Sequence, residues 1–238
     1  VRSILNDNGI LVSGIDGMFS RESELASPNP FVRQNVIDYI RRNLELGVDL
    51  EAAYFIIAPG AVGRPTKYDT MELQRSVETL LKVADEFLKT GIRGTIEPIQ
   101  TSEVSICHTF EEAKTYIQAL NHPGVRHVNG DVYHMLVEES HTGEAIINAG
   151  DMLNNLHLAD SNRDALGKGS LDLDTIIMAL YSIGHNTKEN CYVTAEPLPR
   201  GKNVAQTFYE KHDPELLDSL VETTIRYFRE REEKVINL

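Results

Sequence analysis

Four successive apolar runs in this chain end in residues able to bind metals or move protons. The runs finish at Glu97-Pro98, at Asp131 to His134, at His157 to Asp160 and at Glu196-Pro197. In a parallel α/β protein, ligands bind at the carboxyl ends of the strands. If these runs are strands of a sheet that closes into a barrel, Glu97, Asp131, His157 and Glu196 stand around one mouth. Three carboxylates and one imidazole form a hard, mixed oxygen and nitrogen donor set suited to Mn2+ or Mg2+, with Zn2+, Co2+ or Fe2+ as alternatives. Taken singly, a Glu before Pro is an ordinary capping or solvated carboxylate, and a single His is ordinarily a satisfied core or surface residue. Placement on consecutive strands is what separates these four. His108, His122, His127, His141, His185 and His212 have no such placement and are read as core or surface histidines.

The elements that must position these residues are legible in the hydrophobic pattern. Strands are expected at Leu11 to Gly14, Tyr54 to Ala58, Gly94 to Glu97, His127 to Asp131, Asn155 to Leu158 and Tyr192 to Glu196. Between them run helical patterns. Pro30 to Leu46 follows a capping start at Ser27-Pro28-Asn29, and Asp69 to Thr90 repeats its apolar residues at helical spacing. Thr109 with Glu112 forms a capping box, and Leu171 to Gly184 and Pro214 to Lys234 complete the set. Strands alternating with helices predict α/β architecture with a parallel sheet. No repeat or Pro/Gly-rich linker divides the chain, so residues 1–238 read as one domain. Gly167-Lys168-Gly169 lacks the strand and the glycine spacing of a phosphate loop and reads as a turn.

Composition narrows the partners. The 238 residues carry 36 Asp and Glu against 23 Lys and Arg, a formal charge of -13, with 41% hydrophobic residues. This suits a globular core, and the scattered, outnumbered basic residues disfavour nucleic-acid binding. No apolar stretch approaches the roughly 20 residues needed to span a bilayer, and no signal peptide is visible. The expectation is a cytoplasmic protein with no membrane partner. Its two cysteines, Cys107 and Cys191, are read as buried, reduced thiols.

Four segments carry a family resemblance: Ile96-Glu97-Pro98-Ile99, Gly130-Asp131-Val132-Tyr133-His134-Met135, His157-Leu158-Ala159-Asp160-Ser161-Asn162-Arg163 and Ala195-Glu196-Pro197-Leu198. With Leu25 to Pro30 and Arg33, they resemble the xylose isomerase-like TIM barrels, and within them the sugar isomerases and epimerases related to D-tagatose and D-psicose 3-epimerases. The resemblance implies a TIM (β/α)8 barrel. The first strand here resembles the third of the family and Val1 to Gly9 the end of a helix, so the first two βα units are expected to be missing from the chain.

It further implies that Glu97, Asp131, His157 and Glu196 coordinate one divalent metal, Mn2+ first among the candidates, while His134 and Arg163 hold substrate oxygens. Glu97 and Glu196 would be the catalytic pair of a ketose epimerase or isomerase, moving a proton on the carbon next to a carbonyl through a metal-stabilised enediolate. A sugar is then the small-molecule partner, and relatives are often dimers or tetramers. Two departures stand out. Ser170 occupies a place where many relatives have His, and Gln100-Thr101 replaces a frequent Asn-Arg.

An inosose isomerase or dehydratase is the nearest competing reading, followed by a non-catalytic sugar-binding barrel. An endonuclease IV-like nuclease needs extra histidines on the earlier strands, and none precedes His108.

Overall fold

The computed structural model describes residues 1–200, 202, 207 and 210–237. The chain divides into two compact units, residues 1–128 and 129–238.

In the first unit a short helix α1 (Arg2–Asp7) precedes β1 (Gly14–Asp16), α2 (Pro30–Leu50), β2 (Tyr54–Ile57), α3 (Glu72–Thr90), β3 (Arg93–Ile96), α4 (Phe110–Leu120) and the start of β4 (Val125–Asp131). The strands follow in chain order, β1-β2-β3-β4, and every pair is parallel. β2 is buried along its whole length, as a strand covered on both faces must be.

The helices start where local chemistry directs. Asn29 accepts a hydrogen bond from Phe31 N at 3.0 Å with Pro30 in the first turn, and Thr109 accepts from Glu112 N at 3.2 Å. α2 buries Val36, Ile37, Ile40 and Leu44, and α3 buries Val77, Leu80, Val83, Ala84 and Phe87. Phe19, Phe55 and Phe87 form a ring cluster with centroids 6.2–6.3 Å apart. Each such fully buried large side chain stabilises the unit by roughly 2–3 kcal/mol.

The loops after β1 and β2 are tied by buried charge. Arg64 donates to Glu24 Oε2 at 2.8 Å and also pairs with Glu72, and all three side chains are buried.

The second unit holds the end of β4, then α5 (Val132–Glu138), α6 (Thr142–Ala149), β5 (Leu153–Leu158), α7 (Leu173–Ser182), β6 (Tyr192–Ala195) and α8 (Pro214–Ile236). Strand order is again the chain order, β4-β5-β6, and β5 and β6 are parallel. α8 buries Leu220, Thr224 and Phe228, and Arg231 fastens it to α7 through Asp174.

Six expected strands and five expected helices are present, with shifted ends. β1 begins at Gly14 rather than Leu11, which is 92% exposed and precedes the ladder to β2. Glu97 and Glu196 lie one residue past their strands, yet their amides extend the ladders, to Ile57 O at 3.0 Å and Leu158 O at 2.9 Å. Two helices, α5 and α6, were not expected. Asp131 caps the first by accepting from Tyr133 N, and His141 caps the second by accepting from Glu144 N. Of the two thiols expected to be buried, Cys107 is, whereas Cys191 is half-buried. Cys107 is also held firmly protonated: burial, then Glu112 and Glu97, push its thiol up. Among the described residues, no helix is long and apolar enough to cross a membrane.

Candidate metal centre

β4, β5 and β6 each carry two polar residues at i and i+2, hence on one face of the strand. They are Asn129 and Asp131, Asn155 and His157, and Thr194 with Glu196 just beyond its strand end. The pairs make two layers. Asp131, His157 and Glu196 are the upper one, at the carboxyl ends.

The lower layer is a hydrogen-bonded chain. Thr194 Oγ1 donates to Asn155 Oδ1 at 2.8 Å, and Asn155 Nδ2 donates to Asn129 Oδ1 at 2.8 Å. Asn129 Nδ2 then lies 3.4 Å from His157 Nδ1. Both asparagines are fully buried, where a polar group without partners would be costly.

In the upper layer, His157 Nδ1 is 3.3 Å from Glu196 Oε2. Asp131 uses Oδ1 to cap α5 and turns Oδ2 towards His134 Nε2 at 3.2 Å and Arg163 at 3.8 Å. The Arg163 guanidinium also lies over the Tyr133 ring, 4.7 Å from its centroid. Burial pushes the Asp131 carboxyl above its ordinary pKa. His134, Arg163 and His157 oppose that rise, and Glu196 reinforces it. The buried Asp131 at the end of β4 and the His157–Glu196 pair at the ends of β5 and β6 set two carboxylates and an imidazole on adjacent strand ends, donor types that suit a divalent cation, whose charge would favour the ionised acids.

Glu97 belongs to the first unit. It is buried, 7% exposed, at the carboxyl end of β3, and is followed by Ile99 N donating to Cys107 O at 3.1 Å. Gln100, one of the departures noted in the sequence, is buried and donates to Glu103 at 2.8 Å.

The second unit therefore brings together five of the six expected site residues: Asp131, His134, His157, Arg163 and Glu196. The asparagine and threonine layer beneath them was missed by the sequence reading. Its signal was the i, i+2 spacing below each expected ligand. Four of the remaining histidines have structural partners: His108 with Glu112, His122 with Asp85, His141 at its cap and His185 with Tyr192 O. A cavity of about 360 Å³ behind β6 is lined mainly by apolar residues such as Ile177, Leu180, Val193 and Phe228, and gathers no comparable donor set.

Parallel strands alternating with helices, with acids and a histidine at their carboxyl ends, define an α/β protein whose candidate site lies where ligands of such folds bind. Residues 1–208 match the model of the xylose isomerase-like TIM barrel family, and the chain belongs to that family. Among its relatives, the ketose 3-epimerase of Arthrobacter globiformis is 28% identical over 78% of this chain, the match spanning 64% of that protein's length. The D-psicose 3-epimerase of Ruminiclostridium cellulolyticum is 29% identical over 84% of this chain and 68% of its own length. A solved structure of an L-ribulose 3-epimerase superposes with a TM-score of 0.85 at 20% identity, covering 99% of this chain and 80% of that one.

Proposed function

We propose that this chain is the catalytic part of a divalent-metal-dependent ketose epimerase acting at the carbon next to the carbonyl. The observation that carries the reading is the cluster of Asp131, His157 and Glu196 with His134 and Arg163 at the strand ends. It is supported by relatives named as epimerases of ketoses. Glu97, Asp131, His157 and Glu196 hold the metal, Mn2+ in the first instance because three of the four donors are carboxylates. When bound, the cation supplies Lewis-acid polarisation of the sugar's carbonyl.

The rest is the work of side chains. One of Glu97 and Glu196 takes the proton from the carbon beside the carbonyl, and the other delivers a proton to the opposite face, which inverts that centre. Arg163 and His134 hold sugar oxygens. Arg163 is fixed by its stacking on Tyr133, and His134 keeps a buried Nδ1 with no hydrogen-bond partner among the described residues. Such an atom is a natural contact for a substrate hydroxyl. Epimerisation is preferred to aldose-ketose isomerisation because the relatives are named for it. A dimer or tetramer is the assembly that the family resemblance implies, and the cytoplasm is the location that the composition of the sequence suggests.

Glu196→Gln tests the two-carboxylate scheme. The side chain is 30% exposed, so the variant folds, and turnover of D-psicose to D-fructose disappears. Full activity in that variant contradicts the scheme.

A further inference from the structure

The segment that follows β5 is organised around one carboxylate to which the reaction scheme gives no task. Asp160 is 2% exposed. Its Oδ1 accepts from Ser161 N at 2.7 Å and Leu171 N at 3.1 Å, and its Oδ2 accepts from Gly167 N at 2.7 Å. The Gly169 amide also hydrogen-bonds this carboxylate. Burial works against the charge, but these amides outweigh it and hold the Asp160 carboxyl below the ordinary range.

Four amides from both ends of a loop thus converge on a single anion, as in an anion-binding nest, except that the anion is part of the chain. The glycines fit this role. Gly167 has φ of +82°, a conformation that L residues rarely adopt, and a Cβ on Gly169 would overlap the Asp160 carboxylate.

Arg163 sits inside the loop so closed. Its backbone is left-handed, φ +63°, which is uncommon for a residue other than glycine. Its N donates to Asp160 O at 2.8 Å, and its O accepts from Leu198 N at 2.7 Å. Asp160 N in turn donates to Asp164 O at 2.9 Å, and Asn162 closes the far side by donating to Lys168 O at 3.1 Å. The turn that aims the guanidinium at Tyr133 and Asp131 therefore begins at Asp160.

We propose that Asp160 is the positioning residue for Arg163: its carboxylate gathers the amides of Ser161, Gly167, Gly169 and Leu171 and so holds the strained turn that directs the guanidinium. The part of this inference that concerns substrate rests on the epimerase reading, whereas the part that concerns geometry does not.

The test uses Asp160→Asn, which keeps the volume but puts an amino group against amide donors, and Gly169→Ala, which disturbs the same nest from the other side. Amide hydrogen exchange and the side-chain NMR signal of Arg163 Nε are read on the whole chain, together with Mn2+ titration and D-psicose kinetics. In both variants, exchange at Ser161, Gly167 and Leu171 should accelerate on the order of tenfold or more. The Arg163 Nε signal should move towards its solvent-exposed position. KM should rise as it does in Arg163→Ala, with a smaller change in kcat and unchanged Mn2+ affinity.

Accelerated amides with an unmoved Arg163 signal would overturn the proposal, since Asp160 would then staple the loop without directing the arginine. Unchanged amide exchange would overturn it as well. If the unsubstituted protein does not turn over D-psicose, the epimerase reading is at fault, and the NMR arm alone decides the positioning role.

Discussion

Asn155 offers a quantitative test of the polar layer beneath the proposed metal ligands. The substitution Asn155→Leu keeps nearly the same volume and removes two 2.8 Å hydrogen bonds, one to Asn129 and one from Thr194. Asn129 is fully buried, so the loss of its donor costs about 1–3 kcal/mol. Thr194 is only half-buried and can turn its hydroxyl towards water, adding roughly 0.5–1 kcal/mol. The new leucine offsets part of this by burying apolar surface, leaving a net loss of about 2 kcal/mol.

Asn129 is also the neighbour of His157 Nδ1. Freed from Asn155, it no longer orients that ring, and loss of an outer-shell partner of this kind typically weakens metal affinity by about 10–100-fold. Equilibrium urea unfolding of the metal-free protein measures the first quantity, and Mn2+ titration the second. Thr194→Val, which breaks only the outer link, should lie between the native protein and Asn155→Leu in both. A variant with native stability and native Mn2+ affinity would refute the claim that the amide chain supports the site.

Three further outcomes follow from named contacts. Arg163→Ala should raise KM for the ketose by roughly 10–100-fold, the worth of a hydrogen bond from a charged group, while leaving Mn2+ affinity nearly unchanged; the reverse pattern would mean that the arginine serves the metal rather than the sugar. Arg64→Met leaves Glu24 and Glu72 buried without their cation and should cost about 3–5 kcal/mol in urea unfolding, so a change below 1 kcal/mol would show the triad to be unimportant.

His127 should make stability depend on pH. Burial, with Arg93 and Arg126, lowers its pKa to about 4, against roughly 6.5 in an unfolded chain. Its contribution is complete above pH 6.5 and is lost as pH falls towards 4. The loss amounts to at most about 3 kcal/mol, roughly 2 once partial exposure is allowed for. His127→Gln should flatten that slope, and an NMR titration midpoint near 6.5 would contradict the assignment.

Much of the fold could be read in advance because strands and helices here differ plainly in period and are separated by turn residues. The candidate ligands stood out for a related reason: Glu97, Asp131, His157 and Glu196 each break an apolar run at its end. α5 and α6 escaped because they are only seven and eight residues long, too short to show an apolar stripe, and the first is capped by Asp131, a residue already accounted for as a ligand. The layer of Asn129, Asn155 and Thr194 escaped because buried amides inside strands look like interruptions until neighbouring strands are brought into register. Asp160 was visible as a polar residue after β5, but its task depends on amides as far along the chain as Leu171. The start of β1 was misjudged from apolarity alone, since Leu11 is apolar yet solvent-exposed.

The central claim is metal-dependent proton transfer next to a carbonyl, and one measurement addresses it directly. The protein is freed of metal, reloaded with Mn2+, incubated with D-psicose in D2O and followed by NMR, with metal content determined on the same sample. The account predicts one metal ion per chain and deuterium at C3 of the sugar, with D-fructose forming as the C3 epimer, and no label in the metal-free sample. Exchange that proceeds equally without metal, or a fully loaded protein that leaves every carbon-bound hydrogen of a panel of ketoses in place, would contradict it.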